Sequence, residues 1–161
     1  MNTSIWEMNK EDFMRGSMAF FTAIFGQALK LKSGEIEIRF FPKGRPPGSS
    51  FFKTEVEAAD YAYHLCSSGI DVYCGVNPRT GGAGKKENVH FVTAFHSEID
   101  YGKEGHKKEC PYKTYEEALS GIKDFNLSPS VIVHSGGGFH CYWILSDPKG
   151  KRPWDRCIGN Y

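Results

Sequence analysis

Three consecutive glycines, Gly136, Gly137 and Gly138, separate two runs rich in β-branched and aromatic residues, SVIVHS and FHCYWIL. Glycine supplies the backbone freedom of a tight reversal, and two such runs around it predict a β-hairpin. That hairpin commits the end of the chain to a sheet. Upstream the apolar period lengthens. Phe13, Ala19, Phe20, Ala23, Ile24 and Leu29 recur at helical intervals, predicting a helix over about 9–29 that ends at Lys32, Ser33 and Gly34. Strands with helical segments between them imply an α/β (α+β) fold.

The intervening elements follow from local pattern. Ile36, Ile38 and Phe40 alternate with Glu35, Glu37 and Arg39, the period of a half-exposed strand with its charges in water. KGRPPGSS then supplies turn chemistry before Phe51 and Phe52, completing a predicted hairpin. Thr54, three residues before Glu57, is a possible capping box for a helix carrying Val56, Ala59, Tyr63 and Leu65 and stopping at Gly69. IDVYCGVNPR is strand-like as far as Pro78, and RTGGAGKKEN reads as a mobile, basic, glycine-rich loop. Residues 89–101 form a predicted long strand. A polar loop and a helix over about 114–125 follow, with Glu116 and Glu117 where negative charge suits the helix dipole.

At 161 residues the length suits one domain. With 20 basic and 19 acidic residues, contact with nucleic acid must come from a local basic surface, because the bulk charge is nearly balanced. Five scattered cysteines without a CxxC pair suggest reduced thiols, with Cys74 and Cys141 acting as apolar filler in strands. No segment reaches the ~20 apolar residues of a membrane span, and the first residues lack the apolar run of a signal peptide, so a cytoplasmic protein without membrane contact is expected.

Three segments carry candidate chemistry. In FVTAFHSEIDYG a mostly apolar strand ends in Glu98 and Asp100. Residues two apart on a strand share a face, so both carboxylates project together while Phe91, Phe95 and Ile99 are expected to bury on the other side. Such a pair either solubilises a strand end or shares a hard divalent cation, Mg²⁺ or Mn²⁺; like charges side by side repel unless something positive sits between them. In PSVIVHSGGGFHCYWIL the glycine turn either simply reverses the chain or cradles phosphate oxygens with its amides, with His140 as a phosphate contact on the outgoing strand. His134 is a second candidate whose face depends on the turn length. In VYCGVNPRTGGAGKKENV, Arg79, Lys85 and Lys86 are either solvated charges or phosphate contacts, and Arg79, held beside Pro78, is the better placed.

Taken in order, the early helix and IEIRFF, the later FF, DVYCGVNPR with its glycine-rich basic loop, the acid pair and PSVIVHSGGGFHCYWIL resemble the RepB-like branch of the archaeo-eukaryotic primase superfamily over most of the chain. The resemblance implies a DNA primase-polymerase of a plasmid, phage or other mobile element. Its partners would be DNA template and primer, nucleoside triphosphates and a helicase domain or protein. It implies that Glu98 and Asp100 are the metal-binding acids of the first motif, Glu98 standing where many members carry aspartate. Ser135 through His140 correspond to the second motif, whose histidine contacts the incoming nucleotide's phosphates. The implied fold is an antiparallel sheet like that of RNA-recognition domains with helices on one face. No segment matches the family's third motif, so residues 1–161 are expected to be the front part of a catalytic domain that departs from the pattern after about residue 147. The alternative is a catalytically incomplete nucleic-acid-binding or replication-initiation module of the same fold. A nicking enzyme would need two histidines separated by one residue, and His90 and His96 lack that spacing.

Overall fold

A computed structural model describes residues 9–102 and 109–150, with side chains of the last strand described as far as Ser146. The elements run α1 (Lys10–Lys30), β1 (Ile36–Phe41), β2 (Gly48–Phe52), α2 (Glu55–Ser67), β3 (Asp71–Cys74), β4 (Phe91–Asp100), α3 (Tyr115–Asp124), β5 (Val131–His134) and β6 (Gly138–Gly150). A short 3-10 turn, Lys86–Asn88, lies in the glycine-rich loop. The mixed α/β class is as expected. Among the described residues, however, the strands form two three-stranded sheets, β2-β1-β3 and β4-β6-β5, where a single sheet was predicted. The described residues also divide into two compact units, 9–93 with 145–150, and 94–102 with 109–144.

Helices α1, α2 and α3 begin with the same device. Asn9, Thr54 and Thr114 each accept a hydrogen bond from the backbone N–H three residues on, at Asp12, Glu57 and Glu117. Each such cap contributes about 1 kcal/mol by satisfying a donor that the helix leaves orphaned.

In the first unit α1 buries Phe21, Ile24, Phe25 and Ala28. The buried side of α2 is Ala58, Ala59 and Ala62, small residues that bring its backbone close. Val56, expected inside, is 51% exposed because it lies off that alanine face. β1 pairs antiparallel with β2 (Ile36 with Phe52) and with β3 (Arg39 with Tyr73). Ile36 and Ile38 are buried, and Phe40 meets Tyr61 of α2, which sets the helix-facing side of β1.

The opposite side holds a surprise. Glu37, predicted to face water, is fully buried. Its Oε2 accepts from Arg79 Nε at 2.9 Å and its Oε1 from Ser49 Oγ at 2.9 Å, so the charge is paired rather than hydrated. The glycine-rich loop lies over it: a Cβ at Gly84 would collide with the Glu37 carboxyl group. That loop is tied at its neck, Thr80 N–H donating to Asn88 O at 2.9 Å and Asn88 Nδ2 to Thr80 O at 2.6 Å. These bonds close the ends of the loop that the sequence predicts to be mobile.

In the second unit α3 packs on one face of β4-β6-β5. Ala118 and Ile122 meet Phe139 and Cys141, with Ile99, Tyr101, Tyr112, Leu119 and Trp143 around them. Phe91 and Ile99, expected inside, are only half-buried, and Phe95 is 56% exposed, since this apolar cluster ends short of it. Cys66, Cys74, Cys110 and Cys141 are free thiols; Cys157 lies outside the described residues. Among the described residues no helix is long and apolar enough to cross a membrane.

Candidate functional site

Strand alternation places His96, Glu98 and Asp100 on the face of β4 opposite Ile99, hence opposite α3. On neighbouring β6, Phe139 and Cys141 point to α3, so His140 takes the open face. His96, Glu98 and His140 meet there. Glu98 Oε1 lies 4.0 Å from His140 Nε2 and 3.9 Å from His96 Nε2. The His96 and His140 rings are perpendicular, with centroids 5.6 Å apart, and His96 also leans on Tyr142 at 5.1 Å. Tyr142 is 5% exposed and floors the cluster, whereas the Glu98 side chain is 61% exposed.

Asp100 occupies the other end of the row, against the hairpin turn. A Cβ on Gly138 would fall 2.7 Å from Asp100 Oδ1 and 2.7 Å from Ile99 O. Only glycine admits this approach of β6 to the acid, which gives that residue of the triplet a steric role. Gly136 adopts φ 98°, the left-handed region where glycine is favoured. The turn's carbonyls are engaged internally: Gly136 O accepts from Tyr101 Oη at 3.2 Å, Gly137 O from Tyr101 N–H at 3.2 Å, and Gly138 O from Ser135 N–H at 2.9 Å. Ser135 Oγ also donates to Gly138 O, at 3.1 Å. Ser135 is thus part of the turn's own scaffold.

The register of β5 with β6 settles the second histidine. His134 pairs with Phe139 and Val133 with His140, so His134 and His140 lie on opposite faces. His134 stacks on Tyr101, with Nε2 2.8 Å from the phenol oxygen. It belongs to the aromatic packing beside α3.

Arg79 lies in the first unit and its guanidinium binds Glu37, with 17% of the side chain exposed. Lys85 and Lys86 are exposed on the tied loop. Two further acids stand late in the sequence, Asp147 and Asp155, but neither ends an apolar strand; Asp155 falls outside the described residues, as does the side chain of Asp147.

His96 was not singled out as a site residue by the sequence reading, although its signal was present. It precedes Glu98 by two residues on one strand and therefore shares the acids' face. Burial lowers the His96 pKa, outweighing the opposing pull of Glu98, with the nearby His140 lowering it further. Its imidazole is therefore neutral at pH 7, with one ring nitrogen to donate and one to accept.

Among the described residues, no group of three or more His, Cys, Asp or Glu side chains is arranged to hold a metal ion. Two carboxylates on one face, rich in oxygen and open to solvent, match the smaller demand of Mg²⁺, which takes one or two carboxylates and completes its shell with water and phosphate. No protein-family model, curated protein or solved structure matches the chain.

Proposed function

We propose that the second unit is the nucleotide-binding face of a divalent-metal-dependent nucleotidyltransferase of the primase-polymerase kind, working on DNA in the cytoplasm. The observation that carries this reading is the placement of Glu98, Asp100 and His140 on one sheet face, Glu98 within 4.0 Å of His140 and Asp100 against the glycine turn at its end. A β4-β6-β5 sheet covered on one side by α3 and bearing chemistry on the other is read as part of an RNA-recognition-like fold. Glu98 and Asp100 would hold Mg²⁺ or Mn²⁺. When bound, such an ion neutralises triphosphate charge and polarises the phosphoryl group under attack.

The chain's own residues divide the remaining work. Glu98 and Asp100 present oxygens from two successive positions of one pleat, so their spacing is fixed by the backbone. His140 donates a hydrogen bond to a phosphate oxygen from the neighbouring strand and orients the triphosphate across the face. Tyr142 and His96 form the wall against which that arrangement is held. Arg79 has a structural duty to Glu37 that limits its freedom to act as an auxiliary cation.

The alternative, a nucleic-acid-binding or initiation module without catalysis, gains from one observation: only two acids share the face among the described residues. Two metals ~3.5–4 Å apart need further oxygen ligands. The chain of 161 residues is therefore expected to bind metal and triphosphate and to stall before primer extension. Calorimetry with a nucleoside triphosphate, with and without Mn²⁺, separates the readings. Saturable binding that requires both the ion and the triphosphate supports the enzyme; oligonucleotide binding with no metal-dependent triphosphate binding leaves the module.

A further inference from the structure

The first sheet has a face that α1 and α2 leave uncovered. Ile36, Ile38 and Phe40 point to the helices, so Glu37, Arg39 and Phe41 point away. Tyr73 is the cross-strand partner of Arg39 and joins them. At this end of the sheet the aromatic rings are accessible, Tyr73 at 56% and Phe41 at 38% exposure. Their centroids are 5.4 Å apart and the planes 87° to each other. The Arg39 guanidinium carbon stands 5.8 Å over the Phe41 ring. A cleft of about 320 Å³ opens between Arg39, Phe41 and Tyr73 on one side and Gly75 and Arg79 on the other.

Charge at this place is positive. The buried Glu37 carboxylate is shared by Arg79 at 2.9 Å and Arg39 at 3.8 Å, two guanidiniums to one acid. The turn after Phe41 adds exposed Lys43 and Arg45. Asp71, cross-strand partner of Phe41, is the counter-charge at the sheet edge. An exposed phenol and phenyl beside these cations suit a ligand with alternating flat bases and phosphates, whose bases are not already stacked in a duplex. A protein partner of comparable size is a poorer match, because the centre of the face is an ionised Arg–Glu–Arg group rather than an apolar patch.

We propose that the open face of β1 and β3 is a binding platform for single-stranded nucleic acid, with Tyr73 and Phe41 stacking bases and Arg39 contacting the backbone. This goes beyond the nucleotidyltransferase reading and uses none of the residues assigned to the metal face.

The test is fluorescence anisotropy of a labelled oligothymidylate titrated with the full chain at low salt. Tyr73→Ala and Phe41→Ala should each weaken binding about tenfold or more, as expected for loss of one stacked base. Tyr73→Trp should retain it, and Arg39→Gln should flatten the salt dependence. Both rings are exposed, so unchanged thermal melts are expected to exclude misfolding as the cause. Unchanged affinity in Tyr73→Ala and Phe41→Ala overturns the proposal. So does concentration-dependent self-association that Tyr73→Ala abolishes, which would make the face a contact between copies. The Glu98→Ala/Asp100→Ala variant is expected to bind the oligonucleotide like the parent. Loss of oligonucleotide binding there, with none in Tyr73→Ala, also overturns it. Failure of metal-dependent triphosphate binding with the platform intact would instead remove the nucleotidyltransferase reading alone.

Discussion

His140 Nε2 stands 4.0 Å from Glu98 Oε1 across the β4–β6 pair, although the two residues are far apart in the chain. That separation is too long for a direct hydrogen bond and short enough for one phosphate or metal-bound water to touch both. The expected consequences concern this face first, and then the ion pairs that hold the first unit.

Replacing Glu98 and Asp100 together by alanine should abolish Mn²⁺ binding and leave the thermal midpoint unchanged or higher. Two like charges on one pleat repel by a few tenths of a kcal/mol to about 1 kcal/mol when no cation lies between them. Bound metal stabilises only the folded form, so Mn²⁺ should raise the parent's midpoint and not the variant's. Calorimetry giving equal Mn²⁺ affinity in both proteins would refute the assignment.

His140→Ala should weaken nucleoside triphosphate binding roughly tenfold to a hundredfold, in line with the ~1.5–3 kcal/mol of a hydrogen bond to a charged group. Nucleoside binding should hardly change. His134→Ala should do the reverse, lowering the melting temperature through loss of the Tyr101 stack and hydrogen bond while sparing the triphosphate. Equal losses for nucleoside and triphosphate in His140→Ala would assign that ring to packing.

Arg79→Ala leaves the fully buried Glu37 carboxylate without its closest cation and should cost about 3–5 kcal/mol of stability. Glu37→Gln/Arg79→Met, which removes both charges, should recover much of that loss. Urea unfolding of the three proteins measures it. A stable Arg79→Ala that fails only in triphosphate binding would restore Arg79 as a ligand contact.

Lys10 donates to Asp60 Oδ1 at 2.7 Å and ties α1 to α2. This bond holds the Asp60 carboxyl below the ordinary carboxylate value, with the Lys10 charge and nearby His64 adding to it against a smaller desolvation effect. A depressed folded pKa contributes stability above the unfolded value near 3.8, and that stability is lost as pH falls through the folded value. Lys10→Met should therefore raise the Asp60 pKa in an NMR titration. It should also reduce the difference in melting temperature between neutral pH and acid below the ordinary carboxylate range, where the parent's depressed carboxylate takes up its proton. An Asp60 titration identical in the two proteins would show that the contact does not persist in solution.

Much of this arrangement was legible along the chain. Asn9, Thr54 and Thr114 mark the helix starts because a cap acts on the next three residues and needs nothing remote. The pleat alone placed Glu98 and Asp100 on one side. It also placed His96 there, and that consequence was available from the same spacing.

What the sequence by itself determined was therefore local: where helices and strands begin, which side chains of one strand point together, and where glycine must reverse the chain. Only the tertiary structure decided which strand lies beside which, because pairing is set by contacts distant in sequence. The β4-β6-β5 order brings His140 to Glu98, and the β5–β6 register turns His134 away to Tyr101. It also decided the fate of Glu37. Alternation along β1 predicts a solvated acid, but a loop more than forty residues later covers it and supplies Arg79, so a charge that strand periodicity assigned to water is buried in an ion pair.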